Sequence, residues 1–270
     1  MTGEGLTQAV RRQLGLGRVL PLGGAQDGAW VTESAVDAAL RQMADVVSGV
    51  RLGTLRIASA RPEQAYVTAV PAPPSALPPG PLRITAEFAA AATGPLPAAA
   101  DRLRAALTGA ADGLGLVTEA VDLKVTALLD EGADPVPPKP PRGESDGTGE
   151  GTDQGTGGLG TDGQGTGDGD AARVGQAALS VPGVARLTGV LGRAVHIEER
   201  PATGALPRRH ARVELATGRG HRALDVALAV RAAVGAALPD HPSVAVLVTE
   251  VGCREEVGRE SDRTEPGERA

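Results

Sequence analysis

Four histidines, one cysteine and several clustered arginines are the side chains of this 270-residue chain whose types could do chemistry. His196, His210, His221 and His241 are spread along the second half. Metal sites draw on close pairs, such as two histidines four apart on one helix, or on cysteine pairs. Neither pattern occurs. Arg208-Arg209-His210, Arg212, and Arg219 to Arg222 flank one alternating strand and open one helix. Arg208, Arg209, Arg212, Arg219 and Arg222 are therefore the candidate anion-binding residues, for phosphate or a nucleic-acid backbone. The competing reading is a set of solvated loop-end arginines. Gly157-Gly-Leu-Gly-Thr-Asp162 spells the start of a calcium-binding nonapeptide repeat. Gln164 stands where an inward apolar residue belongs, and no second repeat follows to stack on it. No G-x-S-x-G elbow is present, and no glycine-rich loop lies between a strand pattern and a helix pattern. The sequence thus implies no catalytic residue, no metal, no cofactor and no small-molecule substrate.

Those residues depend on a bipartite chain. Residues 130–170 open with Pro135-Val-Pro-Pro-Lys-Pro-Pro141 and continue as Gly, Thr, Asp, Glu and Gln, with 12 glycines between Gly143 and Asp170. Such a stretch buries too little apolar surface to offset the entropy of ordering it, which predicts a disordered tether. It carries net charge −8, against zero for residues 1–129 and +4 for 171–251. Trp30, Tyr66 and Phe88 are the only aromatics, so the cores are built from Ala, Val and Leu. Two lysines against 25 arginines is a bias of a high-GC genome. One cysteine permits no internal disulfide. Met1 to Gln8 lacks a basic stretch before an apolar core, predicting no signal peptide. The most apolar run, Ala223 to Leu238, is broken by Asp225 and Arg231, predicting no membrane span.

Periodicity gives the elements. Leu6, Val10 and Leu14, with Arg11 and Arg12 between them, predict a short helical arm packed on its own domain. Ala29-Trp30-Val31 reads as a short extended entry. Thr32 or Ser34 caps a helix whose stripe is Val36, Ala39, Leu40, Met43, Ala44 and Val47. Leu52 to Ala58 reads as a strand, and the seven prolines of residues 61–81 as a long loop. Leu82, Ile84, Ala86 and Phe88 alternate with polar residues. Pro95 opens a second helix with Leu103, Leu107 and Leu114 in its stripe, and Val121 to Ala127 alternate again. After the tether the order returns: helix 171–181, strand 190–198, strand 211–215, helix 221–238 and a valine strand 244–251. Val50 matches Val184, and Val121 matches Val244. The shorter offset is absorbed where the proline-rich loop becomes Arg200 to Arg208, as expected of an internal duplication.

The expected fold class is α+β. Each of two small tandem domains is a mostly antiparallel sheet of about three strands with two helices on one face, in the order helix-strand-strand-helix-strand. The expected boundaries are an arm (1–27), a first domain (28–129), the tether (130–170), a second domain (171–251) and a charged tail (252–270).

Ser48-Gly49-Val50, Val181-Pro182-Gly183-Val184, Leu82 to Phe88, Leu96 to Leu114 and Val121 to Val125, with their second-copy counterparts, carry a resemblance. The chain resembles the alkaline shock protein family of Gram-positive envelope-stress proteins over most of 28–129 and 171–251. The resemblance implies small α+β domains without enzymatic activity. It also implies cytoplasmic proteins that gather at the membrane through a membrane-embedded anchor protein and assemble there. The chain departs from the family in its tandem copies, its tether, and a second copy with no clear entry strand before its helix.

Two further readings compete with this scaffold: a nucleic-acid-binding protein using the basic second domain, and an enzyme. The scarcity of aromatics argues against single-strand stacking. Arg83, Thr85, Glu87, Asp122, Lys124 and Thr126 make the first sheet's outer face polar and open. Ala245 and Leu247 fall on the equivalent second-copy face and make it the expected partner-docking surface, unless that sheet is covered on both faces. Self-association is the remaining partner expectation.

Overall fold

The computed structural model describes residues 15, 17–64, 66–129, 164–202 and 205–253. The arm residues Leu6, Val10 and Leu14, the Gly157–Asp162 motif, the tether to residue 163 and the tail from residue 254 lie outside them. The fold is α+β, with four helices and nine strands in two sheets among the described residues.

Thr32 caps the first helix α1 (Glu33–Asp45) by accepting a hydrogen bond from Ala35 N. Val36, Leu40 and Ala44 form its buried stripe, and Gly49, at φ +72°, turns the chain into strand β3 (Val50–Ser59). In β4 (Leu82–Ala91) the alternation read from sequence is realised: Leu82, Ile84, Ala86, Phe88 and Ala90 are buried, and the residues between them face outward. Helix α2 (Leu96–Leu114) starts after Pro95 and ends at left-handed Gly115, and β5 (Thr118–Leu129) follows. β3 is antiparallel to β4, and β4 is parallel to β5.

The second half repeats this plan. Helix α3 (Gln164–Leu179), β6 (Val184–Leu187), β7 (Val195–Ala202), β8 (Ala205–Gly218), α4 (Ala223–Ala237) and β9 (Ser243–Cys253) follow in order. β6 and β7 both lie antiparallel to β8, and β8 is parallel to β9. Antiparallel pairings are four of the seven among the described strands, and two of the parallel ones come from crossovers. In each half the last two strands are joined by a helix, and a crossover of that kind returns the chain parallel.

Three boundaries change. α3 starts at residue 164, inside the stretch assigned to the tether. Its Asp170 accepts a hydrogen bond from Arg209 at 2.6 Å and lies 3.4 Å from Arg173, contacts that offset the cost of its glycines. The strand expected at 190–198 starts only at Val195, after a turn closed by Gly192 N donating to Gly189 O, and a separate short strand, β6, precedes that turn. The arm (1–27) holds, beyond Gly17, an unexpected strand, β1 (Val19–Leu22), antiparallel to β2 (Ala29–Thr32).

That hairpin overturns the picture of two self-contained domains. β2 does not join the first half's three-stranded sheet. It pairs in parallel with β9, with Ala29 opposite Val246 and Val31 opposite Val248, giving a six-stranded sheet in the order β1-β2-β9-β8-β6, with β7 also on β8. The second copy lacks an entry strand, so β9 would otherwise be an open edge, and the first copy's entry strand fills it. Thr32 Oγ1 donates to Thr249 O at 3.1 Å, and Arg231 Nη1 donates to the carbonyls of Gln26 and Asp27 at 2.7 and 2.8 Å. Gly115 fits only because it lacks a Cβ: one there would sit 2.3 Å from the Cβ of Leu224. One apolar core runs through both halves, joining Leu20, Val31 and Val36 to Val246, Val248 and Leu224.

Candidate functional site

The expected docking residues come first. β8 and β9 place Ala245 beside Arg212 and Leu247 beside Glu214, and β2 adds Trp30 beside Leu247. Ala245 is 1 % exposed and Leu247 0 %. They pack with Val19, Trp30 and Val70, and with the partly buried Ala76 and Leu191. The expected docking face is therefore already occupied. Its cover comes from the proline-rich loop and from the turn after β6. The loop is fastened at β1, where Val19 N donates to Ser75 O and Leu77 N to Val19 O. The physical reason is that an apolar sheet face must be covered, and the long proline-rich loop of the first copy does so for the second.

Beside this apolar cover lies the most polar buried point of the fold. Glu214 is 0 % exposed. One carboxylate oxygen accepts from Leu191 N at 3.0 Å, and the other lies 3.4 Å from Arg212 Nη2. Burial pushes its carboxyl above the ordinary range, against the pull of the Leu191 amide and of Arg212. Trp30 Nε1 and Arg212 Nε have no hydrogen-bond partner among the described residues. His210 is also buried, with Nδ1 2.8 Å from Ser243 Oγ. Burial and Arg200 lower its pKa, so it is held neutral. Strand alternation signals that these side chains share a face, but it gives no sign that the face is covered.

The candidate anion-binding arginines do not converge. Arg208 and Arg209 stand near the start of β8, and Arg219 and Arg222 lie beyond its other end, about 30 Å away at the rise of a strand. Arg209 is held by Asp170 and Asp240, and Arg212 by Glu214. Arg219 donates to Gly252 O, and Arg222 to Asp112 O and Asp225. Arg208 is exposed on the opposite face of the strand from Arg209. Two small pockets, of about 240 and 260 Å³, are lined mainly by small residues. Cys253 borders the second, where burial, with Glu250 at 3.4 Å, raises its thiol pKa and so suppresses the thiolate. No group of three or more potential metal ligands occurs among the described residues.

The first sheet differs. One side packs against α1 and α2, and the other side is open. There Arg83 pairs with Asp122 at 2.8 Å and Lys124 with Glu87 at 3.2 Å, between neighbouring strands. β5 is an edge strand of 12 residues. Its helix-side row becomes more exposed along the strand, reaching 38 % at Val125 and 57 % at Leu128. Arg104 Nε donates to Val121 O at 3.4 Å; beyond that residue β5 has β4 as its only strand neighbour.

Comparison with family models, with curated proteins and with solved structures finds no match. No helix among the described residues is long and apolar enough to cross a membrane.

Proposed function

We propose that this protein is a non-enzymatic scaffold of the envelope-stress type, presenting the first half's sheet to protein partners and sitting at the membrane through a membrane-embedded anchor protein. The observation that carries the reading is the contrast between the two sheets. The second sheet is covered on both faces by its own chain, whereas the first leaves a polar, ion-paired face and a long edge strand uncovered. The resemblance to alkaline shock proteins supports the same class and supplies the membrane-anchored partner. The scattered, carboxylate-held arginines give the nucleic-acid reading no focus. Burial raises the thiol pKa of Cys253, so the one cysteine offers an enzymatic reading no ready thiolate.

Fractionation tests it. The protein is expected to sediment with membranes of its host, to be released when those membranes are first shaved with protease, and to leave protein-free liposomes unbound. Tight binding to liposomes, or a wholly unbound pool in host extracts, would overturn the anchor-protein reading.

A further inference from the structure

The free edge of β5 carries its own complement. We infer that β5 pairs antiparallel with β5 of a second copy of this chain about a two-fold axis at Leu123, making one continuous six-stranded sheet from two three-stranded ones. This goes beyond the scaffold reading and does not depend on it.

Register is the first argument. Directly opposed residues in an antiparallel pair share a face, so a symmetric pairing keeps both copies' helices on one side only when a residue sits on the axis. With Leu123 there, Asp122 opposes Lys124 of the second copy, and Lys124 opposes its Asp122. Both are exposed on the open face, with side chains 52 % and 71 % accessible. On the helix side Val121 opposes Val125, which covers the part of the row that is exposed in the single chain. Neighbouring registers fail. An axis at Asp122 or at Lys124 sets like charges face to face, and an axis at Val125 sets Asp122 against Leu128.

The second argument is that the other edges are guarded. Arg41 and Arg18 donate to the β3 carbonyls of Gly53 and Ile57. The proline-rich loop is bonded along β1. β7 carries Glu198, Glu199, Arg200 and Pro201, charges and a proline that discourage pairing. β5 carries a single long contact of this kind, Arg104 Nε to Val121 O at 3.4 Å, and is otherwise the open long edge among the described strands, so the pairing is isologous and closes at two copies rather than growing.

Sedimentation of the full chain over a range of concentrations tests this, with circular dichroism confirming that each variant is folded. The native chain is expected to dimerise reversibly. Lys124→Asp makes both cross-axis charge pairs repulsive and should weaken the dimer about tenfold or more, and Asp122→Lys should do the same. Mixing these two single variants should restore association, as a one-to-one heterodimer, because each chain then opposes acids to bases. A native chain that stays monomeric at every concentration overturns the proposal. So does a dimer indifferent to both reversals, or a mixture that stays monomeric. Since purified protein alone is used, failure here leaves the membrane-partner result unaffected.

Discussion

Leu247 is the position where exposure to a partner and burial in the fold make opposite claims. As a docking residue, it would tolerate Glu and lose only its partner. In the structure it is fully buried against Trp30, Val19 and Val70, directly across from Glu214. Leu247→Ala removes a buried leucine side chain and leaves a cavity, at a cost of about 2–5 kcal/mol. Leu247→Glu forfeits the same packing and adds a carboxyl that must be neutral to stay inside. Holding it protonated at pH 7, against an ordinary pKa near 4.3, costs about 3.7 kcal/mol more. The sum, about 6–9 kcal/mol, reaches the whole stability of a typical domain, about 5–15 kcal/mol. Urea unfolding followed by tryptophan fluorescence reads this directly, because Trp30, the only tryptophan, touches the site. The expected result is a lowered midpoint for Leu247→Ala and a largely unfolded Leu247→Glu that recovers part of its stability between pH 7 and pH 5. A Leu247→Glu protein as stable as the native one would refute the covered-face geometry.

Three further outcomes follow from the same packing. Leu103→Asp, at a fully buried position, is expected to lower stability by about 3 kcal/mol or more, while Arg104→Asp, exposed one residue along, should cost under about 1 kcal/mol in the same melting experiment. Glu214 has a carboxyl raised by burial, so the folded state binds its proton more readily than the unfolded chain does, and its contribution falls as pH rises from 4.5 through the folded value. Glu214→Gln keeps an acceptor for Leu191 N, so its stability relative to the native chain should improve over that rise; an unchanged difference would show that the carboxyl is not buried as described. Residues 164–253 expressed alone lack β1 and β2 and should be poorly folded, and co-expression with residues 1–129 should rescue them; well-dispersed amide spectra from the fragment alone would count against the shared sheet.

The elements were legible because their signals are local. Leu82 to Phe88 alternate as a half-buried strand must, Thr32 caps a helix, and Gly49 takes the left-handed turn after it. The repeat was legible as well, since Val50 and Val184 open matching strands β3 and β6. The route of β2 was not. Nothing in Ala29-Trp30-Val31 distinguishes an entry strand for its own half from one donated to a strand more than 200 residues away. The clue available was a pair of mismatches: a surplus entry strand in one copy and a missing one in the other. The burial of Ala245 and Leu247 was hidden for the same reason. Their cover is Val70 and Ala76, two apolar residues in a segment whose prolines mark it only as loop. Glu214 alternates like any outward residue, and only the turn that brings Leu191 over it puts it inside.

Strand donation also sets a schedule for synthesis. β2 leaves the ribosome early, but its partner β9 is made last, about 210 residues later. At elongation rates of about 5–20 residues per second, the β1–β2 hairpin waits roughly 10–40 s for its place. During that time Trp30 and Val31 present an apolar edge with no strand to receive it, while β3, β4, α2 and β5 can already assemble. The first half can thus mature during translation, whereas the second sheet is completed only as the final residues of β9 emerge. A ribosome stalled anywhere before Ser243 would carry an open hairpin.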